Sequence, residues 1–196
     1  MAPSDPEPVA RDGDLPIRRL RDVHKDYVQM AKWQSDERLL EFYGDRDKPL
    51  DLKAVYDKQG PGVRGDDATV PCIISLQGTP IGYMQYTELI EGRSYYVPDL
   101  ADLFGIDLFI GEPENWRKRL STRALSLLVD FLFESKGAQK IIIDPQVVNV
   151  RAVRSYEKAG FTKVNMLPNH EFHEGEMRDA WLMEVDRSAW GTRRRV

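Results

Sequence analysis

The sequence has one cysteine, Cys72, and three histidines among its 196 residues, and no apolar run approaches the roughly 20 residues of a membrane span. These scarcities exclude a disulfide framework and the usual ligand spacings of a zinc site. Cys72 sits between Pro71 and Ile73 in an apolar run, which predicts a buried, inert thiol. Positive charge is not in excess: 28 Lys and Arg stand against 32 Asp and Glu, a net charge of −4. Nucleic-acid binding, carried by Lys and Arg on phosphate, is therefore not expected. The start, Met1 to Asp14, is polar and contains prolines, unlike a secretory signal. A cytoplasmic protein with no membrane partner is expected.

What is present fits one α/β domain. Residues 1–14 read as a disordered tail, 15–187 as the domain and 188–196 as a flexible basic tail. Leu15 to Leu20 is a strand candidate, and Val23 to Tyr43 has closer to helical than strand spacing. Leu52 to Tyr56 is a short helix, followed by a loop through Gly60, Pro61, Gly62 and Gly65. Strands at Val70–Leu76 and Pro80–Tyr86 flank a Gln77-Gly78 hairpin signal. Residues 87–104 form a long polar and acidic excursion before the strand Gly105–Ile110. Leu120–Ser135 carries one apolar stripe and is the clearest helix. A strand at Lys140–Ile143 precedes a helix at Val150–Ala159 with Asn149 as N-cap and Gly160 as C-terminal stop. Strands at Phe161–Val164 and Ala180–Val185 complete the pattern. The order predicts an α+β fold, a mixed and mostly antiparallel sheet with helices on its faces.

Acidic residues gather in two places: Glu88, Glu91, Asp99, Asp102 and Asp107, then Glu171, Glu174, Glu176 and Asp179. On the residues alone, Asp107 is either a cleft carboxylate or a strand-edge aspartate paired with a nearby cation. Tyr156, on the face opposite Glu157 and Lys158, is a core aromatic by position. His170 and His173, three apart and without a clear third ligand, do not make a metal site.

The block from Asn149 through Arg151-Ala152, Tyr156 and Gly160-Phe161 resembles the fourth helix region of GNAT acetyltransferases. Three further stretches resemble the aminoglycoside 6′-N-acetyltransferases within them: Pro80-Ile81-Gly82-Tyr83, Gly105-Ile106-Asp107 with Phe109-Ile110-Gly111, and Leu167-Pro168 through His173-Glu174-Gly175. The resemblance covers roughly residues 15–186. It implies the GNAT-like sheet and transfer of an acetyl group from acetyl-CoA to the 6′-amine of an aminoglycoside, with no metal. Asp107 would then accept the amine proton, and Tyr156 would lie at the thioester sulfur and return a proton. Coenzyme A would be held by Phe109, Ile110, Arg117, Lys118, Arg119, Leu120, Ser121, Thr122, Asn149, Ala152, Arg154 and Tyr156. The polycationic drug would meet Tyr43, Asp99, Asp107, Asp144, Glu174 and Asp179, whose charge attracts ammonium groups.

One segment departs from the pattern. Where relatives carry an Arg/Gln-x-x-Gly-x-Gly/Ala loop, this sequence has Trp116-Arg117-Lys118-Arg119-Leu120-Ser121, with both glycine positions filled. Side chains there restrict positive φ, while Arg117, Lys118, Arg119 and Arg123 at a helix start call for an anion. Other amine substrates, a hydroxylysine siderophore precursor or a polyamine, satisfy the same acidic residues, and so does a cofactor-less module that captures a cation. Both monomer and homodimer are compatible with the sequence.

Overall fold

The computed structural model describes residues 8–89 and 102–193. The strands are β1 (Ala10–Asp12), β2 (Leu15–Arg19), β3 (Thr69–Leu76), β4 (Thr79–Glu88), β5 (Leu103–Ile110), β6 (Lys140–Ile143), β7 (Thr162–His173) and β8 (Glu176–Asp186). The helices are α1 (His24–Trp33), α2 (Glu37–Leu40), α3 (Leu52–Arg64), α4 (Leu120–Ser135), α5 (Val150–Ala159) and α6 (Arg187–Arg193). The eight strands of the described residues join one sheet in the order β1-β2-β3-β4-β5-β6-β8-β7. Neighbours are antiparallel except β5 and β6, which run parallel. This is the mixed, mostly antiparallel sheet expected. Among the described residues no helix is long and apolar enough to cross a membrane.

Strand alternation sorts side chains to two faces, as a period of 2 requires. Cys72, Ile74, Met84, Tyr86, Ile106 and Leu108 pack with Leu125, Leu128 and Val129 of α4 and Val153 of α5. Ile73, Tyr83 and Phe109 face the other way, against Tyr27, Met30 and Trp33 of α1 and Val55 of α3. Each fully buried aliphatic or aromatic side chain contributes about 1.5–3 kcal/mol. The β3–β4 hairpin closes on Gln77 and Gly78, with φ of 50° and 78's of 81°, both left-handed as a tight two-residue turn demands. Cys72 is fully buried and its thiol is pushed up to about 12 by that burial.

Several boundaries differ from the sequence expectation. Residues 10–12, expected in the tail, form β1 on the edge of β2. The Gly60-Pro61-Gly62 run is helical: α3 continues through it and stops at Gly65, whose φ is 80°. A Cβ on Gly62 would lie 2.5 Å from the Thr69 carbonyl oxygen, so that glycine serves close contact with β3 rather than a loop. β7 extends to His173, and α6 (Arg187–Arg193) starts at the last residue of the expected domain and runs into the expected tail at 188–196. The long helical reading of 23–43 resolves into α1 and α2, separated at Gln34 to Asp36.

The parallel pair positions the site. β5 and β6 pair only from Leu103↔Lys140 to Gly105↔Ile142, whereas β5 stays paired with β4 through Gly82↔Ile110. Beyond Gly105 the two strands part, and the sheet opens in its middle.

Candidate active site

A cleft of about 1130 Å³ fills this opening. One end is walled by residues 115–117 and 119–122 and the start of α5, the other by Tyr43, Lys58, Gln85, Asp107, Asp144 and Glu171. Asp107 is placed by register: it stands opposite Gln85 on β4, on the same face as Tyr83 and Phe109. Gln85 Nε2 donates to Asp107 Oδ2 at 2.7 Å. The Tyr83 hydroxyl lies 2.6 Å from Gln85 Oε1 and donates to it, which turns the amide nitrogen toward the aspartate. Burial raises the Asp107 carboxyl to about 6, and the nearby Asp144 and Glu171 charges push the same way. Gln85 and Lys58 pull it down. No cation neutralises it by direct contact among the described residues, so the strand-edge ion-pair reading fails.

Tyr156 is buried and lines the cleft from α5. Desolvation raises its phenol, and the charges of Asp107 and Asp144 add to the effect. The hydroxyl therefore stays protonated across the physiological range. Asp144 is 2.7 Å from His170 Nε2, and this bond raises the imidazole, so the imidazolium is favoured as the donor to Asp144. Glu171 accepts from Gln146 Nε2 at 3.0 Å. His170 and Glu171 reach the cleft because β7 is long enough to carry them there.

At the other end, the start of α4 answers the departure noted in the sequence. Arg117 and Arg119 adopt φ of 64° and 60°, the left-handed region usually left to glycine. The filled positions do not prevent the turn; the chain accepts a cost of about 1–2 kcal/mol per residue. Ser121 is already inside the helix, with its hydroxyl 3.1 Å from Ser155 Oγ, and Thr122 Oγ1 is 2.9 Å from the same atom. These contacts tie α4 to α5. Among the described residues no side chain caps α4, whose N-cap is Arg119. Its first-turn amides thus lack the acceptor that helix starts require.

Phe109, Ile110, Arg117, Arg119, Leu120, Ser121, Thr122, Asn149, Ala152, Arg154 and Tyr156 all line the cleft. Lys118 does not; its ammonium is 3.2 Å from Asn115 Oδ1. Arg123 turns away to Asp12 and Asp14, at 2.9 and 3.2 Å, and so leaves the cation group expected at the helix start. Trp116, in the Arg/Gln position of the loop, donates from Nε1 to the Ile110 carbonyl at 2.7 Å and stacks under Arg151 at 4.7 Å. Neither Trp116 nor Arg151 was marked as functional by the sequence, and neither was Gln85 or Lys58.

Of the drug-contact residues, Tyr43, Asp107 and Asp144 line the cleft, and Tyr43 packs edge-on to Phe109 with ring centroids 4.7 Å apart. Glu174 does not line it: it is spent on Arg46, whose Nη2 lies 2.7 Å from Oε2. Asp179 does not either; it accepts from the Asn169 amide at 2.9 Å and braces the irregular middle of β7. Asp99 lies outside the described residues. Among the described residues no group of three or more His, Cys, Asp and Glu side chains is placed to hold a metal ion.

A family model described as an acetyltransferase (GNAT) domain matches residues 22–168. An aminoglycoside N(6′)-acetyltransferase type 1 of Klebsiella pneumoniae is 31% identical over 157 residues, 79% of this chain and 78% of that protein. A kanamycin resistance protein of Rhizobium radiobacter is 41% identical over 59 residues, 30% of this chain and 55% of its own length. The crystal structure of aminoglycoside acetyltransferase AAC(6′)-Ib with coenzyme A and kanamycin superposes with a TM-score of 0.78 at 26% identity, covering 92% of this chain and 99% of that one. A spermidine N-acetyltransferase of Vibrio cholerae, at 18% identity and TM-score 0.75 over 91% and 99% of the two chains, shares the fold. With the model spanning most of the domain and the Klebsiella relative above, the chain belongs to the GNAT acetyltransferases, in the aminoglycoside 6′-N-acetyltransferase family.

Proposed function

We propose that this protein transfers the acetyl group of acetyl-CoA to the 6′-amine of an aminoglycoside, in the cytoplasm, and so confers resistance to such drugs. The observation that carries the reading is a buried carboxylate, Asp107, set among Asp144 and Glu171 in a cleft that continues to the uncapped start of α4. The acids attract a polycation, and the far end suits a phosphate-bearing co-substrate. The α4 amides, with Arg117, Arg119 and the helix start at Asn149, would hold the pyrophosphate of coenzyme A, while Phe109, Ile110, Leu120, Ala152 and Arg154 line its path. Lys118 would act from the rim.

Acetyl-CoA supplies an activated acyl carbon as a thioester. An ammonium cannot attack it, so the amine must lose a proton. With its carboxyl near 6, Asp107 is mostly ionised at neutral pH yet basic enough to receive that proton. Gln85, itself oriented by the Tyr83 hydroxyl, holds the carboxylate in place. As the nitrogen bonds to the acyl carbon and the carbon–sulfur bond breaks, the leaving thiolate needs a proton. Tyr156, kept protonated by burial, provides it. Tyr43 would offer a ring face to a sugar, and Asp144, backed by His170, would anchor a second ammonium.

Thiol release from acetyl-CoA with kanamycin, spermidine and hydroxylysine as acceptors tests the proposal. Turnover with kanamycin far above the other two is expected. Acetylation of spermidine alone would refute the substrate assignment, and failure to bind acetyl-CoA by calorimetry would refute the enzyme reading.

A further inference from the structure

Between α2 and α3 the chain has neither helix nor strand, yet this connection carries Tyr43, which lines the end of the cleft that holds Asp107. A segment without a hydrogen-bonded ladder loses entropy when held in one place, so its tethers decide where its side chains stand. Two tethers reach it from the tip of the β7–β8 hairpin. His173 Nδ1 lies 2.7 Å from the Gly44 carbonyl oxygen. A carbonyl only accepts, so the imidazole carries a proton on Nδ1 and donates it. The histidine is 2% exposed. One residue on, Glu174 receives Arg46 on both carboxylate oxygens, a planar two-point pairing stronger than a single contact.

Both partners of each tether are well defined. His173 pairs with Glu176 across a turn at Glu174 and Gly175, whose φ of 51° and 83° are those of a tight hairpin. On the loop, Gly44 has φ of 90°, a conformation open to glycine. Each tether also adjoins a side chain of the cleft. Tyr43 precedes Gly44, and its ring packs edge-on to Phe109. His170 and Glu171 precede His173 on β7 and line the cleft. The hairpin tip thus joins two segments, 128 to 129 residues apart, that both line the end bearing Asp107.

We infer that His173, Glu174 and Arg46 are positioning residues for the acceptor substrate: they latch the Tyr43 loop to β7 and so fix the spacing between the Tyr43 ring and the Glu171 carboxylate. The inference rests on the aminoglycoside reading of the cleft. It gives Glu174 an effect on the drug through Arg46 rather than by contact. It also gives Arg46, a cation, a favourable part in the binding of a polycation.

The sign of that last effect makes the test. By charge alone, Arg46→Glu replaces a positive charge with a negative one near the acids of the cleft and should tighten a polycation. With the latch, it sets two carboxylates against each other and frees the loop, so KM for kanamycin should rise about three- to tenfold while kcat changes by less than about twofold. Coenzyme A affinity, by calorimetry, should stay as in wild type. Arg46 is 45% exposed, so the substitution leaves the core intact. Glu174→Arg should also raise KM, and the swap of Arg46→Glu with Glu174→Arg should restore it to within about twofold of wild type. His173→Phe, which keeps the bulk and loses the donor, should raise KM with kcat held; an unmoved KM there would overturn the part given to the histidine. A KM that falls or stays level in Arg46→Glu would overturn the latch. A swap that leaves KM as high as in Glu174→Arg would show that Glu174 meets the drug directly, and would overturn it too. Wild-type protein that does not acetylate kanamycin would instead overturn the reading of the cleft itself.

Discussion

Burial at Asp107 has two effects that point in opposite directions. It lifts the carboxyl from its ordinary 3.8 to about 6, which makes a useful base, and it penalises the ionised form in the folded state. Between those values the folded protein holds a proton at Asp107 that the unfolded chain has released, so the contribution of this one group to stability is greatest below about pH 4 and is lost as pH rises through about 6. Asp107→Asn should therefore raise the unfolding free energy by on the order of 2 kcal/mol at about pH 8 and by little at about pH 4, measured by urea denaturation. The same variant should lose about 10² in kcat/KM. Wild-type kcat/KM should fall on the acid side with a midpoint near 6; a profile flat through that range would remove Asp107 as the base. Arg119 offers a second opposition. Its φ of 60° costs energy that glycine would not pay, so Arg119→Gly should stabilise the fold by about 1 kcal/mol while weakening acetyl-CoA binding severalfold at low salt. Thermal melts and calorimetry read the two effects separately.

Among the elements, the pairing of β4 with β5 sets the geometry of the base, and its tightest point is Gly82. A Cβ there would lie 2.4 Å from the Phe109 carbonyl oxygen, a backbone atom that cannot swing aside. Gly82→Ala should cost about 1–3 kcal/mol by overpacking and also lower turnover, since β5 carries Asp107; an unchanged denaturation midpoint would show that the strand shifts freely. This glycine stood in the sequence as part of a resemblance, without a physical reason until the register was known. Other elements were legible for local reasons. α4 and α5 have their expected limits because an apolar stripe, an Asn149 cap and a Gly160 stop are all written within the segment. α3 was cut short because Gly60, Pro61 and Gly62 look like a loop when their neighbour β3 is unseen. β7 was cut short because an edge strand with solvent on much of its length need not alternate. The site split in the same way. Asp107 and Tyr156 were found through motifs, whereas Gln85 and Lys58 enter the cleft by cross-strand register and helix placement, which no local pattern states.

Over the whole molecule, charge is sorted more sharply than the net value of −4 reveals. Asp107, Asp144 and Glu171 lie at one end of the cleft, and Arg117, Arg119, Arg151 and Arg154 line the other. The acidic end should bind a polycation more weakly as salt rises from about 0.01 M to about 0.15 M, where screening shortens from roughly 30 Å to roughly 8 Å. Affinity for kanamycin by calorimetry that stays constant over that range would argue that shape, rather than charge, holds the drug. The acids in the sequence marked this polarity only in part: Glu174 and Asp179 belong to ion pairing and turn bracing, because proximity along the chain does not decide which way a strand presents its side chains.

The parting of β5 from β6 leaves a sheet with an edge in its interior. From Ile106 to Ile110 the strand is paired on one side only, and four of its five residues are apolar. An unpaired apolar strand is a template for another chain, and proteins shield such edges because they seed aggregation. Here the shield is burial: Ile106, Leu108, Phe109 and Ile110 are each at most 9% exposed. A co-substrate lying along β5 would act as a chaperone for its own binding strand, so heated protein should turn turbid later with saturating acetyl-CoA than with none, and by more than drug alone achieves. Storage and crystallisation of this enzyme should benefit from the same ligand for the same reason.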